Sequence, residues 1–217
     1  MTQSKLTAQE LEEIGLIGII RADSSEHVVE AISALHRGGI RAVEITLNTP
    51  NALELIAATR RALGEGMRVG AGTILEPADA ERAIEAGSEF IVTPTLQCDT
   101  IAVCRQHNVP IACGCATPTE SLAAHRAGAD FIKVFPAESL GLGYIKAIRG
   151  PLPFLKLMPT GGVSLENLAA FIQAGCVGIG LGGNLVSKRA LQEQDWGGLT
   201  ALAAQFVAAL ATARSHR

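Results

Sequence analysis

The chain has 217 residues, a formal net charge of −3 and an apolar content of 48%. This length suits one well-buried domain spanning residues 1–217, and the lack of a Lys/Arg block argues against a nucleic-acid partner. The N-terminal segment carries acids where a signal peptide needs an apolar run, and we identify no later stretch as a membrane span. We therefore expect a cytoplasmic protein without membrane or nucleic-acid partners.

Eight short β-branched or glycine-rich runs alternate with Ala/Leu/Glu-rich segments of helical period. This alternation predicts an α/β fold of the (β/α)8 type, the TIM barrel, in which helices join parallel strands. An extra N-terminal helix near Ala8–Ile14 precedes the barrel, and a helix near Leu199–Ala213 follows it. An open doubly wound sheet ranks second, because Gly70-Ala-Gly-Thr73 lacks the dinucleotide-binding fingerprint. The predicted strands are Leu16–Ala22, Ala42–Asn48, Arg68–Ile74, Phe90–Thr95, Pro110–Ala116, Phe131–Ala137, Phe154–Gly162 and Cys176–Gly183.

Four helix-to-strand links share a pattern in which glycine stands where the helix must end. Glycine is favoured there because the residue that follows a helix often has left-handed backbone angles. The recurrence of this junction supports a repeated helix–strand unit. The links begin at Arg37-Gly-Gly, Glu85-Ala-Gly, Arg126-Ala-Gly and Gln173-Ala-Gly.

Side-chain parity assigns the faces of the strands, since alternate residues of a barrel strand point inward. In the second strand the apolar residues 43, 45 and 47 share one face, which turns Glu44, Thr46 and Asn48 into the barrel. The same argument turns Lys133 and Phe135 inward in the sixth strand. We therefore expect Lys133 and Glu44 to meet inside the barrel.

Lys133 and Glu44 are the candidate catalytic pair. An ammonium inside an apolar barrel is costly, so it either pairs with an anion or loses its proton, and a free amine attacks ketones. A nearby carboxylate then moves protons through carbinolamine, imine and enamine. An ion pair that only fills the barrel fits the same pattern, and parity alone leaves both interpretations open. Arg21 lies at the carboxyl-end rim that barrel enzymes use for chemistry, where it can hold a carboxylate.

Two glycine pairs follow the last two strands, Gly161-Gly162 after the seventh and Gly182-Gly183 after the eighth. Bare backbone amides at these loops can bind phosphate, whereas a single pair would equally suit a tight turn. Two pairs on adjacent loops favour the phosphate site.

Five cysteines bear on redox state and metal binding. Their odd number and apolar surroundings are unlike a disulfide framework, so we expect reduced, packed thiols. Cys113 and Cys115 lack the further ligands that a zinc site needs, and we expect no metal.

Five motifs in combination carry a family resemblance over about residues 15–190. The chain resembles the 2-keto-3-deoxy-6-phosphogluconate (KDPG) / 4-hydroxy-2-oxoglutarate (KHG) aldolase family. The motifs are Glu44 in Val-Glu-Ile-Thr-Leu, Gly70-Ala-Gly-Thr73, Thr93-Pro94, Phe131-Ile-Lys133-Val-Phe135-Pro136-Ala and Pro159-Thr160-Gly161-Gly162-Val.

This resemblance implies a class I aldolase in which Lys133 forms a Schiff base and Glu44 is the general acid/base. It implies that Thr73, Pro94 and Phe135 surround the pyruvate moiety. It also implies a homotrimer. It implies no cofactor or metal, because the protonated imine serves as the electron sink. The implied phosphate-binding residues are Gly161, Gly162, Gly182 and Gly183, together with Asn184 in place of a serine.

The chain mixes features of two branches of the family. Many phosphogluconate-type members have an arginine soon after the Glu44 motif, but this chain has Leu-Asn-Thr-Pro there and offers Arg21 instead. That segment and Gly114-Cys-Ala-Thr117 look like the 2-keto-3-deoxy-6-phosphogalactonate branch. Thr160 points the other way, because that branch often has Val before the glycine pair and Pro at the position of Thr46.

We therefore expect reversible cleavage of KDPG to pyruvate and D-glyceraldehyde 3-phosphate, and of KHG to pyruvate and glyoxylate. The two phosphorylated substrates differ at C4, where a hydrogen bond from Thr160 would favour one epimer by about 1 to 3 kcal/mol. Three rivals are the phosphogalactonate aldolase, a phosphosugar isomerase or epimerase on the same barrel, and a non-catalytic anion-binding barrel. An isomerase or epimerase would use carboxylates or a cysteine rather than an internal lysine.

Overall fold

The computed structural model describes residues 5–216, which form eight parallel strands and ten α-helices. The strands are β1 (Leu16–Ile20), β2 (Ala42–Thr46), β3 (Arg68–Gly72), β4 (Ile91–Val92), β5 (Ile111–Cys115), β6 (Phe131–Val134), β7 (Leu157–Pro159) and β8 (Ile179–Leu181). The helices are α1 (Ala8–Ile14), α2 (Val28–Arg37), α3 (Ala52–Leu63), α4 (Pro77–Glu85), α5 (Cys98–His107), α6 (Pro118–Ala127), α7 (Ala137–Arg149), α8 (Leu168–Gln173), α9 (Lys188–Gln192) and α10 (Trp196–Ser215).

The strands pair in the order β7-β6-β5-β4-β3-β2-β1-β8, and every pairing is parallel. A parallel bridge between Thr160 and Gly180 joins the two ends of this sheet. The result is a (β/α)8 barrel with α1 in front of it, so the predicted TIM-barrel fold is confirmed. The doubly wound alternative is wrong, because its sheet would stay open.

Each strand lies inside its predicted segment and is shorter than that segment. The largest reduction is at Phe154–Gly162, of which only the three residues of β7 belong to the sheet. Phe154 is half exposed, and Gly161 and Gly162 have φ angles of 92° and 71°, which strands do not adopt. The residues that follow the observed strands, such as Gly161 and Gly162, belong to the loops at the carboxyl end of the barrel, whereas those that precede them, such as Phe154, lie at the amino end.

The four predicted helix-to-strand junctions share one conformation. One glycine in each junction is left-handed, with φ of 94° at Gly39, 100° at Gly87, 101° at Gly128 and 95° at Gly175. A residue with a Cβ is strained at these angles, which explains why the same short pattern recurs in the sequence.

The core has two parts, separated by the wall of the barrel. Outward-facing residues such as Val43, Ile45 and Val134 pack beneath the helices. Inside, a smaller cluster fills the amino-terminal half of the barrel, and Leu11 of α1 is fully buried in it with Phe90 and Phe131. The amino-terminal end of the barrel is therefore filled by side chains.

Helix α10 bears on the expectation that no segment spans a membrane. Among the described residues it is the one helix long and apolar enough to cross a membrane by length and composition alone, so this expectation stays a prediction. The helix contacts α2 and α8 along a face of the barrel. It also starts earlier than predicted, at Trp196, because the Asp195 side chain accepts a 2.8 Å hydrogen bond from the Gly198 amide. The side chains that α10 buries are Leu199, Ala203, Phe206, Leu210 and Ala213.

Candidate active site

A cavity of about 310 Å³ opens at the carboxyl end of the barrel. It lies at the pole where barrel enzymes carry their active sites. Most of the site residues predicted from the sequence meet in it, although they come from six different strand ends. Those that line it are Arg21, Thr73, Pro94, Lys133, Phe135, Thr160, Gly161, Gly182 and Gly183.

Lys133 and Glu44 form a buried ion pair at the base of this cavity. Their side chains are 8% and 2% exposed, and 4.0 Å separates Lys133 Nζ from Glu44 Oε2. The other carboxylate oxygen, Oε1, is buried and has no hydrogen-bond partner among the described residues. The pair thus combines an amine open to the cavity with a carboxylate that has an unused acceptor.

The ring of Phe135 forms the wall beside the lysine. Lys133 Nζ lies 5.3 Å from the centre of this ring, within range of a cation–π contact. Lys133 and Phe135 point inward while Ile132 and Val134 belong to the outer core, so the parity argument is confirmed for the sixth strand.

Parity was wrong for one residue of the second strand. Glu44 and Thr46 are buried as expected, with the Thr46 hydroxyl donating to the Ile20 carbonyl at 3.1 Å. Asn48 is exposed and lies outside the cavity, because β2 ends at Thr46 and the chain turns before reaching Asn48. Alternation predicts faces only as far as the strand continues.

Glycines in the barrel wall make room for functional side chains. A Cβ added at Gly72 would overlap with the carboxylate of Glu44 on the neighbouring strand, and one at Gly70 would overlap with the Phe90 ring. A Cβ at Gly180 would likewise overlap with the Thr160 hydroxyl. The Gly-Ala-Gly motif of β3 therefore serves close packing inside the barrel.

Thr73 follows β3 and holds an unusual backbone conformation at the cavity. Its φ of 43° is left-handed, which is rare for a β-branched residue and costs of order 1 to 3 kcal/mol. The Thr73 hydroxyl accepts a long hydrogen bond of 3.4 Å from the Arg21 guanidinium. Among the described residues Arg21 makes no ion pair, so this cation is available to an acid in the cavity.

The glycine loops after β7 and β8 offer free backbone donors. None of the amides of Gly161, Gly162, Gly182 and Gly183 donates a hydrogen bond within residues 5–216. Added Cβ atoms at Gly182 and Gly183 would meet nothing within 4 Å. Open amides of this kind suit an anion.

Two of the predicted phosphate residues lie at the back of these loops, away from the lining of the cavity. The Asn184 side-chain amide donates to the Val163 carbonyl at 2.9 Å, which ties the two loops together. The Gly162 carbonyl accepts a 3.0 Å hydrogen bond from Asn167. Their roles toward a ligand stay predictions.

Lys188 is a cavity residue that the sequence analysis missed. It opens the short helix α9 and lines the cavity beside Gly182 and Gly183. The only sequence signal is a lysine shortly after the second glycine pair, and a surface lysine there would look the same.

The sequence also predicts reduced, packed cysteines and no metal site. Cys104, Cys113, Cys115 and Cys176 are buried, as expected, and no two of the five cysteines form a disulfide, whereas Cys98 is exposed. Within residues 5–216 no three His, Cys, Asp or Glu side chains come together as a metal site. The absence of a metal stays a prediction.

Comparison with known proteins defines the class of enzyme. A sequence model of a family described as "Aldolase: KDPG and KHG aldolase" matches residues 7–202, which is most of the chain. The chain belongs to this aldolase family and is therefore a carbon–carbon lyase. The family resemblance is confirmed, and the isomerase and binding-protein rivals are wrong.

Named relatives come from both branches. The 2-dehydro-3-deoxy-6-phosphogalactonate aldolase of Escherichia coli K12 is 37% identical over 174 residues, which cover 80% of this chain and 85% of that protein. The 2-dehydro-3-deoxy-phosphogluconate aldolase of Pseudomonas aeruginosa is 35% identical, over 94% of this chain and 93% of that protein. A solved KDPG aldolase of Legionella pneumophila, with pyruvate captured as a covalent carbinolamine, has a TM-score of 0.82 and 25% identity and covers 92% of this chain and 97% of its own.

Proposed function

We propose that the protein is a class I aldolase that reversibly cleaves KDPG to pyruvate and D-glyceraldehyde 3-phosphate, with Lys133 as the Schiff-base lysine. The observation that carries this proposal is the buried pair of Lys133 and Glu44, 4.0 Å apart at the base of the cavity. A lysine held beside a carboxylate in a largely apolar pocket suits amine addition to a ketone. The carbinolamine in the Legionella relative supports the same chemistry.

In this mechanism the Lys133 amine adds to the C2 ketone to give a carbinolamine, which loses water to form the protonated imine. A base then removes the proton of the C4 hydroxyl while the C3–C4 bond breaks. The bonding electrons move onto the imine to give an enamine, and the C4 end leaves as an aldehyde. Protonation of the enamine at C3 and hydrolysis of the imine release pyruvate.

Glu44 is the group that carries these protons. Its unpartnered Oε1 can accept a proton from the reacting atoms or from a bridging water. A second, small cavity of about 10 Å³ is lined by Glu44, Lys133 and Thr160, and this is roughly the space of one water. We assign Glu44 as general acid/base on this basis.

The two ends of the substrate match the two sides of the cavity. Arg21 and the Thr73 hydroxyl suit the carboxylate, with Pro94 and Phe135 packing against the pyruvyl carbons. The free amides of the loops after β7 and β8 suit the phosphate, and Asn184 supports them.

Thr160 is our candidate for the C4 preference. It is 6% exposed, lines the cavity, and its hydroxyl makes no hydrogen bond within the described residues. A hydrogen bond to the C4 hydroxyl would favour one epimer by at most about a hundredfold. We propose the phosphogluconate epimer with KHG as a further substrate, and phosphogalactonate as the alternative, because the relatives include both kinds. A Thr160→Val variant whose epimer ratio equals that of the wild type would remove this explanation.

We further propose that the whole chain is one domain that assembles as a cytoplasmic homotrimer and needs no cofactor or metal. The family resemblance supports the trimer, and imine chemistry supplies the electron sink without a metal. Analytical ultracentrifugation tests the trimer, and activity after exhaustive chelation tests the metal.

The central experiment is borohydride reduction in the presence of pyruvate, followed by intact mass measurement. We expect one reduced adduct per wild-type chain and none on Lys133→Ala. Lys146→Ala is a matched control, because Lys146 lies on α7 outside the cavity and its loss should leave the adduct intact. An unlabelled wild-type chain, or a labelled Lys133→Ala chain, would overturn the assignment.

A further inference from the structure

Lys188 connects the cavity to a loop on its rim. Its Nζ donates to both carboxylate oxygens of Asp23, at 3.0 and 2.9 Å, and Asp23 follows β1. The two side chains are 66% and 71% exposed. Lys188 lines the cavity beside Gly182 and Gly183, and it also lines an adjoining cavity of about 300 Å³ together with Asp23.

Charge is distributed unevenly around the main cavity. The guanidinium of Arg21 reaches toward Thr73, at the end of β3. The loops after β7 and β8 present backbone amides, which are neutral. The side-chain amide of Asn184 already donates its hydrogen bond to the Val163 carbonyl. The described cations that line this cavity are Arg21, Lys133 at its base and Lys188, and of these Lys188 lies in the segment that directly follows the Gly182-Gly183 loop.

A phosphate monoester is close to a dianion at neutral pH, and a full positive charge binds it more strongly than neutral amides alone. Lysine suits this role as a mobile point charge on a flexible stem. A solvent-exposed ion pair contributes little to stability, so the contact with Asp23 is easily given up for a stronger anion.

We propose that Lys188 binds the phosphate of the substrate and that Asp23 holds this lysine at the rim while the site is empty. Phosphate and Asp23 then compete for one ammonium group. Lys188 is in this way a specificity residue that favours phosphorylated 2-keto acids over unphosphorylated ones. This inference rests on the proposed function, because it takes a phosphorylated keto acid as the substrate.

Loss of the Lys188 charge should affect the KM of phosphorylated KDPG and not that of unphosphorylated KHG. Lys188→Met should raise the KM of KDPG by about tenfold, the loss of one hydrogen bond between charged groups, with kcat nearly unchanged. The KM of KHG, which has no phosphate, should not change. Lys188→Arg should restore most of the affinity because it keeps the charge.

Arg189→Ala is the matched control for a lost cation on the same helix. Arg189 pairs with Glu193 on the surface, is 82% exposed and does not line the cavity. Its removal should leave both KM values unchanged. Asp23→Asn removes the competing carboxylate and should lower the KM of KDPG while leaving that of KHG as it was.

The experiment measures kcat and KM of these four variants on both substrates, with the pyruvate–borohydride adduct recorded for each. An adduct on every variant shows that the Schiff-base site is intact, so a failure of the proposed function is distinguishable from a failure of this inference. The expected result is a KDPG-specific KM increase in Lys188→Met alone. Equal KM changes on KDPG and KHG, or no change on KDPG, would overturn the role of Lys188, and a higher KDPG KM in Asp23→Asn would overturn the competition.

Discussion

The carboxylate of Glu44 occupies the space into which a side chain at Gly72 would project. The two residues lie on neighbouring strands, β2 and β3, and a Cβ added at Gly72 would overlap with Glu44 Oε1. The position of the carboxylate beside Lys133 therefore depends on a hydrogen atom at residue 72.

Gly72→Ala should lower kcat strongly, because the added methyl group moves the carboxylate away from the reacting atoms. A shift of about 1 Å in a catalytic group can reduce the rate by about a hundredfold. Steady-state kinetics measures the effect. Gly143→Ala is the control, since its Cβ would meet nothing within 4 Å, and kcat should stay at the wild-type value. Wild-type kcat in Gly72→Ala would mean that the carboxylate position does not matter.

The buried ion pair should lower stability when one partner is removed alone. Lys133→Met leaves the Glu44 carboxylate buried without its counter-charge, which typically costs about 3 to 5 kcal/mol. Adding Glu44→Gln removes that charge and should recover most of the loss. Urea unfolding at one fixed protein concentration compares the variants. If the losses of unfolding free energy from Lys133→Met and Glu44→Gln simply add in the double variant, the two side chains do not stabilise each other.

The capping box of α6 predicts a pH-dependent contribution to stability. The Ala116 amide, and then the Thr117 hydroxyl and amide, donate to Glu120 and hold the pKa of this carboxylate below its usual value. An acid whose pKa is lower in the folded state stabilises the protein above its unfolded pKa, and this stabilisation is lost as the pH falls through the folded pKa. Glu120→Gln should therefore lose about 1 kcal/mol or less at neutral pH and nothing at a pH below the folded value. Thermal unfolding at both pH values tests this, and a loss that did not depend on pH would contradict it.

Thiol labelling should distinguish one cysteine from the other four. Cys98 is exposed, whereas the other four thiols are buried out of reach of a reagent. Burial raises the pKa of Cys104 to about 12, and a hydrogen bond with Cys115 lowers the pKa of Cys113 to about 6, but a buried thiol needs access as well as ionisation to react. The folded protein should therefore take up one label per chain rapidly. Mass spectrometry after a short exposure to iodoacetamide measures this, with Cys98→Ser expected to take up none. A second fast label would show that a buried thiol becomes accessible.

The sequence was sufficient for the order of the strands and for the lysine–carboxylate pair, since both follow from periodicity and parity. It was not sufficient for strand ends. Asn48 was assigned to the barrel interior because the alternation was continued past Thr46, where β2 in fact ends. The end of a parallel strand depends on its neighbouring strands and on the loop that follows. The residues of the strand alone do not determine either of them.

Two further features depend on residues that are distant in the sequence. The role of Gly72 is visible only when Glu44 stands beside it on the next strand. Lys188 and Asp23 are 165 positions apart, and nothing near either residue indicates the other. Such relationships arise from the closure of the barrel, so a local pattern cannot predict them.

The filled lower half of the barrel decides how molecules enter and leave. On the amino-terminal side of Glu44 the interior of the barrel is filled by the side chains of Phe90, Phe131 and Leu11. Within residues 5–216 the cavity is therefore closed at the bottom and open only at the carboxyl end of the barrel. In the proposed reaction the pyruvyl half is anchored at the bottom of the cavity and the aldehyde half lies above it. The aldehyde must then depart first, which predicts that pyruvate inhibits cleavage competitively and the aldehyde non-competitively. A barrel sealed by its own N-terminal helix would in this way impose an order on the release of its products.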